Sequence, residues 1–443
     1  MTQLLQTLLR NSPDPQRPFL IGRSFTLSPA DVAAAGKSGL PGVKEGDVVA
    51  LTGGFDPPTV SAFLHLLDRR AVIVPLTPLT QSGHADFFRT AGVNCVVRDG
   101  RTERLPEPAD KHPLLEELRA RGEGGLILFS SGTTGKAKAV LHSTRHFLAR
   151  YRTPRKALRS VALLLFDHIG GLNTLLHMLF NHGQVAVPRS PAPEDVIAAV
   201  REFRAELLPA SPTFLRLLLL HGLLDDPPTD LKIISYGTER MDQPTLDALC
   251  RALPDVDFRQ TYGMSELGIL RVKSRSRDSL WMRVGGEDTE TRIADGTLRI
   301  RSGNRMLGYL NAPSPFDAGG WYDTGDLAES DGPWLRISGR SDGLINVGGI
   351  KVRPDEVEDA ALRFPGLLLA HARGAENPLT GMHVELDCRF VREPQNAGER
   401  RELLRRLRRH LKGLLPPQAV PGRIRSGAVD ISPRNKKTTE QPC

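Results

Sequence analysis

A loop of small hydroxylated residues, glycines and lysines follows a hydrophobic segment at residues 125–129, and this composition suits phosphate binding. The loop reads Ser130-Ser-Gly-Thr-Thr-Gly-Lys-Ala-Lys138. Glycines allow backbone N–H groups to turn towards an anion, hydroxyls add hydrogen-bond donors, and lysines supply positive charge. Only two residues separate Gly132 from Gly135, whereas a Walker A loop has four before its Gly-Lys pair. The loop predicts a polyphosphate site of another kind, or an ordinary turn.

Further segments with chemically useful side chains follow in order along the chain and favour the phosphate site. They are Gln260-Thr-Tyr-Gly-Met-Ser-Glu266, Trp321-Tyr-Asp-Thr-Gly-Asp-Leu327, residues 339–358, and Ser432-Pro-Arg-Asn-Lys-Lys437. Together with the phosphate loop they resemble the adenylate-forming superfamily of acyl-CoA synthetases, stand-alone adenylation domains and luciferases. The resemblance extends from about residue 18 to Lys437.

The resemblance implies that ATP and Mg²⁺ are used to activate a carboxylic acid. A carboxylate resists nucleophiles because it is anionic and lacks a leaving group; forming the mixed anhydride with AMP supplies one and expels pyrophosphate. Ala139 stands where the family has glycine, which we expect to stiffen the loop, and Lys138 is retained as a catalytic lysine. The residues that match the family's loop for the β- and γ-phosphates are Ser130, Ser131, Gly132, Thr133, Thr134, Gly135 and Lys138.

The resemblance also implies a nucleoside and metal site. Tyr262 falls where the family stacks an aromatic ring on adenine, Asp326 where it binds the ribose hydroxyls, and Arg340 where an arginine meets ribose or phosphate. Glu266 matches the magnesium carboxylate, with Thr133 as a second ligand; one carboxylate with phosphate and water commonly suffices for this cation. Other residues assigned to ATP or AMP binding are Gly237, Thr238, Glu239, Gly263 and Ser265.

Two catalytic assignments depend on register or on context. Lys437 takes the place of the family's adenylation lysine when the register is counted from Pro433, but the preceding glycine has become Lys436, so two lysines compete. His168 lies where the family has a histidine or an aromatic residue between phosphate loop and acyl pocket. It either orients the substrate carboxylate or fills the pocket wall.

Alternating hydrophobic segments and helical patterns predict the framework. This alternation is typical of an α/β fold with layered, largely parallel sheets. Shorter alternating strands between about residues 283 and 338 predict a β-rich subdomain. Strands are expected at residues 47–51, 71–75, 94–98, 126–129, 161–166, 184–187, 231–236, 297–301 and 334–338, with a helix at about 58–68.

The polar, glycine-containing segment 339–343 predicts a boundary between two domains. Residues 1–339 are expected to bind ATP and the acid, and residues 340–443 to form a small, mobile α+β domain with helices near 354–358 and 402–415. The resemblance implies that this domain rotates about Asp342. One orientation delivers the lysine, and the other presents Gly348 and Gly349 beside a channel for the thiol of coenzyme A or a carrier-protein phosphopantetheine arm.

The composition indicates a globular protein that favours acidic partners. The formal net charge is +8, with 40% hydrophobic and 25% charged residues. Because the arginines are dispersed and aromatic residues make up only 5%, no nucleic-acid partner is expected. No apolar run approaches the ~20 residues that span a bilayer. The opening segment lacks the pattern of a signal peptide, and the four cysteines lack metal-ligand spacing, so a cytoplasmic enzyme is expected.

The acid itself is not specified by the sequence. The compact spacing resembles small aryl- or acyl-CoA synthetases, and glycines 170, 171 and 263 are expected to leave room in a weakly charged pocket. An aryl or short-to-medium acyl acid is therefore favoured. Three functions remain open: a ligase that makes acyl-CoA, a ligase that loads an acidic carrier protein, docked on the arginines at 405–409, and a catalytically lapsed scaffold.

Overall fold

The computed structural model describes residues 3–35, 40–108, 111–130, 137–151, 153–286, 288–378, 380–427, 429–432 and 437–438. These residues form layered sheets with helices, an antiparallel sheet and a small α+β unit, which confirms the predicted fold class. No helix within these ranges is long and apolar enough to span a membrane.

Two seven-stranded sheets, sheet 1 and sheet 2, take all but one of their strands from the chain before residue 261. The central strands of both sheets run parallel, as predicted. Both edges of sheet 1 and the Thr26–Leu27 edge of sheet 2 are antiparallel, whereas the Asp257–Gln260 edge of sheet 2 is parallel to its neighbour. The order in sheet 1 is Gly308–Tyr309, Lys138–Ser143, Gly125–Ser130, Val72–Leu76, Val48–Thr52, Cys95–Arg98, Arg101–Arg104. The order in sheet 2 is Asp257–Gln260, Ile233–Tyr236, Leu207–Ala210, Arg159–Val161, Gln184–Ala186, Leu20–Ile21, Thr26–Leu27.

Two helices lie between these sheets and share one hydrophobic core with both. Helices Pro57–Asp68 and Ile169–Phe180 contribute buried residues to the same cluster as Val49 of sheet 1 and Val185 of sheet 2. Val48, the neighbour of Val49, belongs to a separate cluster on the opposite face of sheet 1. Successive side chains of a strand point to opposite faces of the sheet, so the two clusters cover both faces of sheet 1. The central strands of this sheet therefore have continuous apolar sequences.

The helices begin where proline and capping residues permit it. Proline is tolerated in the first turn because the N–H groups there have no intrahelical partner. Asp56, Ser211, Asp242 and Asn396 each accept a hydrogen bond from a backbone N–H of the first turn. The remaining helices are Gln3–Asn11, Pro29–Ala35, His84–Ala91, Pro113–Ala120, Thr144–Ala149, Pro193–Glu202, Pro212–Leu220, Gln243–Ala252, Pro354–Leu362 and Ala397–Leu414.

Sheet 3 is the predicted β-rich part. It is a six-stranded antiparallel sheet preceded by a short hairpin of Gly263–Met264 and Gly268–Ile269. Its strand Tyr322–Asp331 pairs with Trp334–Arg340, which sets Asp326 directly opposite Arg340. The other strands of sheet 3 are Val272–Ser274, Met282–Val284, Thr289–Ala294 and Thr297–Ser302.

The residues after 343 form their own sheet and core. Sheet 4 has five strands: Ile350–Val352, Ile345–Val347, Gly381–Phe390, Leu367–Asn377 and Arg423–Ser426. Helices Pro354–Leu362 and Ala397–Leu414 pack on it around Val357, Leu407 and Leu411. A short turn at Ser341–Gly343 separates sheet 3 from sheet 4, and Asp430–Ile431 pairs with Lys437–Thr438 near the end of the chain. The domain boundary at 339/340 stays a prediction.

One predicted strand was displaced. The segment 161–166 was expected to be a strand, whereas the strand is Arg159–Val161, which pairs in parallel with Gln184–Ala186. Residues 162–168 instead form the connection to the helix Ile169–Phe180. Leu163 and Phe166 are buried in that connection. The connection is therefore as apolar as a buried strand, and hydrophobicity alone did not distinguish the two.

Two arginines join the small unit to the rest of the chain. Arg216, at the helix Pro212–Leu220, donates from Nη2 to the carbonyl oxygens of Leu362 (2.8 Å) and Leu367 (3.0 Å). Arg240 donates from Nη1 to the Asp359 carboxylate at 3.0 Å. These charge-assisted bonds stabilise the orientation of the small unit that is seen here.

Candidate active site

The predicted phosphate loop connects two antiparallel strands of sheet 1. Strands Gly125–Ser130 and Lys138–Ser143 are in register with Ser130 opposite Lys138, so these two residues flank the loop. The Lys138 ammonium lies 5.0 Å from the centre of the Tyr309 ring. The predicted phosphate ligands Ser131, Gly132, Thr133, Thr134 and Gly135 lie outside the described residues.

The loop is fastened on its C-terminal side by Asn311, which the sequence analysis missed. Its side-chain N–H donates to the Ala137 carbonyl oxygen and its carbonyl oxygen accepts from the Ala139 N–H, both at 2.9 Å. Ala139 lies inside a strand, opposite Phe129, and is fully buried. A strand position does not require glycine, so alanine at 139 is compatible with this backbone. The sequence signal that could have identified Asn311 was its position just after the Gly308-Tyr309 segment.

Glu266 is the buried carboxylate of the site. It is 8% exposed, and its Oε1 accepts a hydrogen bond of 2.7 Å from the Tyr309 hydroxyl. The backbone is fixed as well, because the Met306 N–H donates to the Glu266 carbonyl oxygen at 2.7 Å. His142 Nε2 lies 2.6 Å from the carbonyl oxygen of Ser265, and burial lowers the pKa of His142 to about 4. His142 is therefore a neutral donor that fixes the predicted Ser265–Glu266 segment.

The nucleoside residues predicted from three separate segments come together where Tyr262 packs against sheet 3. The Tyr262 hydroxyl donates to Asp326, and Arg340 Nη1 donates to the other oxygen of Asp326 at 3.2 Å. Arg340 also bonds the Thr324 carbonyl oxygen at 2.7 Å. Burial raises the pKa of Asp326, which the Tyr262 hydroxyl and Arg340 oppose. The carboxylate is thus held in place by two partners.

Tyr322 connects the two carboxylates and was not singled out from the sequence. It lies close enough to Tyr309, Glu266 and Asp326 for all three groups to act on its ionisation. Burial, followed by the charge of Glu266, raises the pKa of Tyr322 to about 12. The phenol groups of Tyr309 and Tyr322 therefore place the predicted metal carboxylate and the predicted ribose carboxylate in one cluster.

Asp326→Asn is expected to weaken ATP binding by about 10- to 100-fold, because a charged hydrogen bond contributes about 1.5–3 kcal/mol. Asparagine keeps the shape of the side chain, but it has no negative charge and only one oxygen that can accept hydrogen bonds. Asp331→Asn is the matched control, since Asp331 lies on the same strand, is exposed and pairs with Arg275. Titration calorimetry with ATP measures both. Equal dissociation constants for the two variants would show that Asp326 does not bind the nucleotide.

Residues 237–239 adopt an unusual backbone after the strand Ile233–Tyr236. Thr238 has φ = +70°, a left-handed conformation that is uncommon for a β-branched residue and is enriched at ligand sites. A Cβ at Gly237 would lie 2.1 Å from Thr261 Oγ1, so glycine is required by close packing. The Glu239 carboxylate accepts from the backbone N–H groups of Thr213 (3.3 Å) and Lys437 (2.9 Å).

His168 and its neighbouring glycines have structural functions. His168 caps the helix Ile169–Phe180, with Nδ1 accepting from the Gly170 N–H at 3.0 Å. The expectation that the glycines leave room was wrong: a Cβ at Gly171 would lie 2.0 Å from the Leu165 carbonyl oxygen, and one at Gly263 2.6 Å from that of Gly268. Neighbouring backbone occupies that space. The predicted catalytic role of His168 stays a prediction.

Lys437 lies at the contact between the small unit and the rest of the chain. Its backbone N–H binds Glu239, but its ammonium contacts Glu358 at 2.7 Å and the Ala370 carbonyl oxygen at 3.0 Å. Burial alone would raise the pKa of Glu358; the Lys437 charge and the hydrogen bonds from neighbouring groups lower it to about 2. In this arrangement the predicted catalytic ammonium is engaged by the small unit. The competing Lys436 and Pro433 lie outside the described residues.

The predicted hinge and thiol-channel residues are in turns. Asp342 receives two hydrogen bonds of 3.2 Å from Arg340, the same arginine that binds Asp326, so the hinge and the ribose carboxylate share one partner. Gly348 and Gly349 form the turn of a hairpin, at φ = +59° and +87°. An added Cβ at Gly349 would meet no described atom within 4 Å.

Comparisons with known proteins show the family and the fold. Residues 32–310 match the profile of the family described as AMP-binding enzyme. The chain is 28% identical to a 3-(7a-methyl-1,5-dioxo-octahydro-1H-inden-4-yl)propanoyl:CoA ligase of Mycobacterium tuberculosis, over 97% of this chain and 95% of that protein. It is 24% identical to 4-coumarate–CoA ligase-like 6 of Arabidopsis thaliana, over 81% and 74% of the two chains. The fold matches the anthranilate CoA ligase AuaEII, in complex with anthranoyl-AMP, with a TM-score of 0.79 at 19% identity, covering 98% and 95% of the chains.

Proposed function

Since the chain belongs to the AMP-binding enzyme family, we propose that it is an AMP-forming acid–thiol ligase that converts a carboxylic acid to acyl-AMP and then to acyl-CoA. The observation that carries the proposal is the single cluster formed by Glu266, Asp326 and Arg340 beside the hairpin that ends in the phosphate loop. These groups come from three separate segments. They supply a metal carboxylate, a ribose acceptor and a cation in one place.

The residues present fit one magnesium ion bound together with ATP. Among the described residues there is no group of three or more potential ligands that would form an all-protein metal site. Glu266 is a lone, buried carboxylate with one oxygen bonded to Tyr309, which matches the preference of Mg²⁺ for one carboxylate plus phosphate oxygens and water. Glu266, with Thr133, would hold the ion, which neutralises charge on the phosphates.

The chain's own groups then bind and orient the reactants. Asp326 is held by Tyr262 and Arg340 to accept the ribose hydroxyls, and Lys138 contributes a positive charge at the phosphate loop. A lysine from the end of the chain, assigned to Lys437, stabilises the negative charge that builds on the carboxylate and α-phosphate oxygens during adenylation. A second orientation of residues 340–443 about Asp342 would then admit the thiol beside Gly349.

We assign the acid to the aryl or short-to-medium acyl class. Support comes from a relative named for its likeness to 4-coumarate–CoA ligase, from a fold neighbour named as an anthranilate CoA ligase, and from the apolar helix Ile169–Phe180 beside the predicted acyl pocket. The acceptor is coenzyme A in this proposal. The carrier-protein alternative is favoured only by exposed arginines such as Arg405 and Arg409 on the helix Ala397–Leu414. A cytoplasmic location stays a prediction.

The experiment is a measurement of AMP release with a panel of aryl and acyl acids, with and without coenzyme A. The proposal expects AMP release that depends on an acid, on magnesium and on coenzyme A, with a thioester as product. Acylation of a carrier protein without any acyl-CoA would favour the carrier-loading alternative. No AMP release with any acid and either acceptor would favour the scaffold.

A further inference from the structure

The side chain of Tyr309 contacts two parts of the site that are far apart in the sequence. Tyr309 belongs to the strand Gly308–Tyr309, which pairs antiparallel with Lys138–Ser143, the strand that leaves the phosphate loop. It is 5% exposed. The sequence analysis did not connect this residue to the phosphate loop or to the metal carboxylate.

The hydroxyl of Tyr309 acts on the metal carboxylate. It donates to Glu266 Oε1 at 2.7 Å, while the Met306 N–H holds the Glu266 backbone carbonyl at 2.7 Å. Both ends of the glutamate are therefore fixed by the segment 306–309. Among the described residues, none donates a hydrogen bond to the second carboxylate oxygen, Oε2.

The ring of Tyr309 acts on the phosphate loop. The Lys138 ammonium lies over the ring, 5.0 Å from its centre, within the range of a cation–π contact. Asn311, two residues further along, holds the backbone on both sides of Lys138. One short segment thus fixes the lysine and the carboxylate relative to each other.

We infer that Tyr309 is a positioning residue for metal-bound ATP: its hydroxyl orients Glu266 so that Oε2 faces the ion, and its ring sets the position of the Lys138 ammonium. The inference rests on the magnesium role proposed for Glu266. Partners that orient a metal ligand in this way commonly affect metal affinity by about 10- to 100-fold.

Two substitutions separate the hydroxyl from the ring. Tyr309→Phe removes the hydrogen bond and keeps the ring over Lys138, whereas Tyr309→Leu removes both. Tyr151→Phe is the matched control, because Tyr151 is 4% exposed and donates a partly buried hydrogen bond to Asn173 at 3.0 Å, outside this cluster. Calorimetry measures ATP affinity in excess magnesium and in EDTA, and the ratio of the two affinities is the readout.

The ratio is expected to fall about tenfold in Tyr309→Phe with little change in EDTA, and to stay unchanged in Tyr151→Phe. Tyr309→Leu should in addition weaken ATP binding in EDTA. In a Glu266→Gln background, Tyr309→Phe should have no further effect, because the two residues act as one unit.

An unchanged ratio in Tyr309→Phe, or an equal loss with and without Glu266, would overturn the inference. This experiment needs no acid. The positioning role of Tyr309 can therefore fail while AMP release succeeds, and it can hold while AMP release fails. The two proposals are therefore tested separately.

Discussion

Lys437→Ala is expected to slow formation of acyl-AMP by on the order of 10²–10³, because losing one preorganised charge at a developing oxyanion costs about 3–4 kcal/mol. Conversion of supplied acyl-AMP to thioester should continue, since that step does not build charge at the same oxygens. Single-turnover measurements of the two half-reactions distinguish these effects. Lys436→Ala is the matched comparison, being the adjacent lysine.

The structure allows a strict test of which of the two lysines, Lys436 or Lys437, is the catalytic one. The Lys437 ammonium is bound to Glu358 in the orientation seen here and must leave it to reach the adenylate. Glu358→Gln weakens this pair and keeps the lysine, so adenylation should remain within a few-fold of the wild type. If Lys436→Ala carries the adenylation defect, while Lys437→Ala and Glu358→Gln only lower the thermal midpoint, then Lys437 is an anchor and Lys436 is the catalytic lysine.

Gly349→Trp is expected to slow thioester formation by on the order of 10² while adenylation changes little. A slim pantetheine arm needs close approach of the backbone, and misplacement of a reactant by about 1 Å can cost 10² in rate. An added Cβ meets no described atom within 4 Å here, so the first atom of a new side chain does not clash in this orientation of the small unit. Separate assays of pyrophosphate release and acyl-CoA formation measure the two steps.

The control is Gly332→Trp. Gly332 is also a hairpin-turn glycine with positive φ (+56°) and open space around its Cβ position, but it lies in sheet 3. It carries the same backbone strain without the predicted channel. A parallel loss of both half-reactions in Gly349→Trp, or an equal loss in Gly332→Trp, would show that the channel was assigned to the wrong place.

The parts of the site that the sequence predicted are those encoded by local segments. Tyr262, Asp326 and Arg340 lie in recognisable stretches, and the structure brings them together. The parallel strands were predictable because buried strands read as apolar runs bounded by turns. The hairpin strands at residues 322–340 then fix the pairing of Asp326 with Arg340.

Contacts between distant segments were not predictable in the same way. The partner of Glu266 is Tyr309, 43 residues away, and this pairing depends on how the hairpin of Gly263–Met264 and Gly268–Ile269 lies against sheet 1. The glycines at 170 and 171 looked like space for a substrate, but backbone and side chains of residues 164–168 lie against them. The direction of the Lys437 side chain depends on the half-buried Glu358, and no local sequence pattern indicated this contact.

The most direct test of the account is isotope exchange between pyrophosphate and ATP. This exchange requires reversible formation of acyl-AMP and needs neither coenzyme A nor a carrier protein. The account predicts exchange that appears only with magnesium and a suitable acid and that is strongly reduced in Glu266→Gln. Protein that binds ATP yet shows no exchange with any aryl or acyl acid would contradict the proposed ligase.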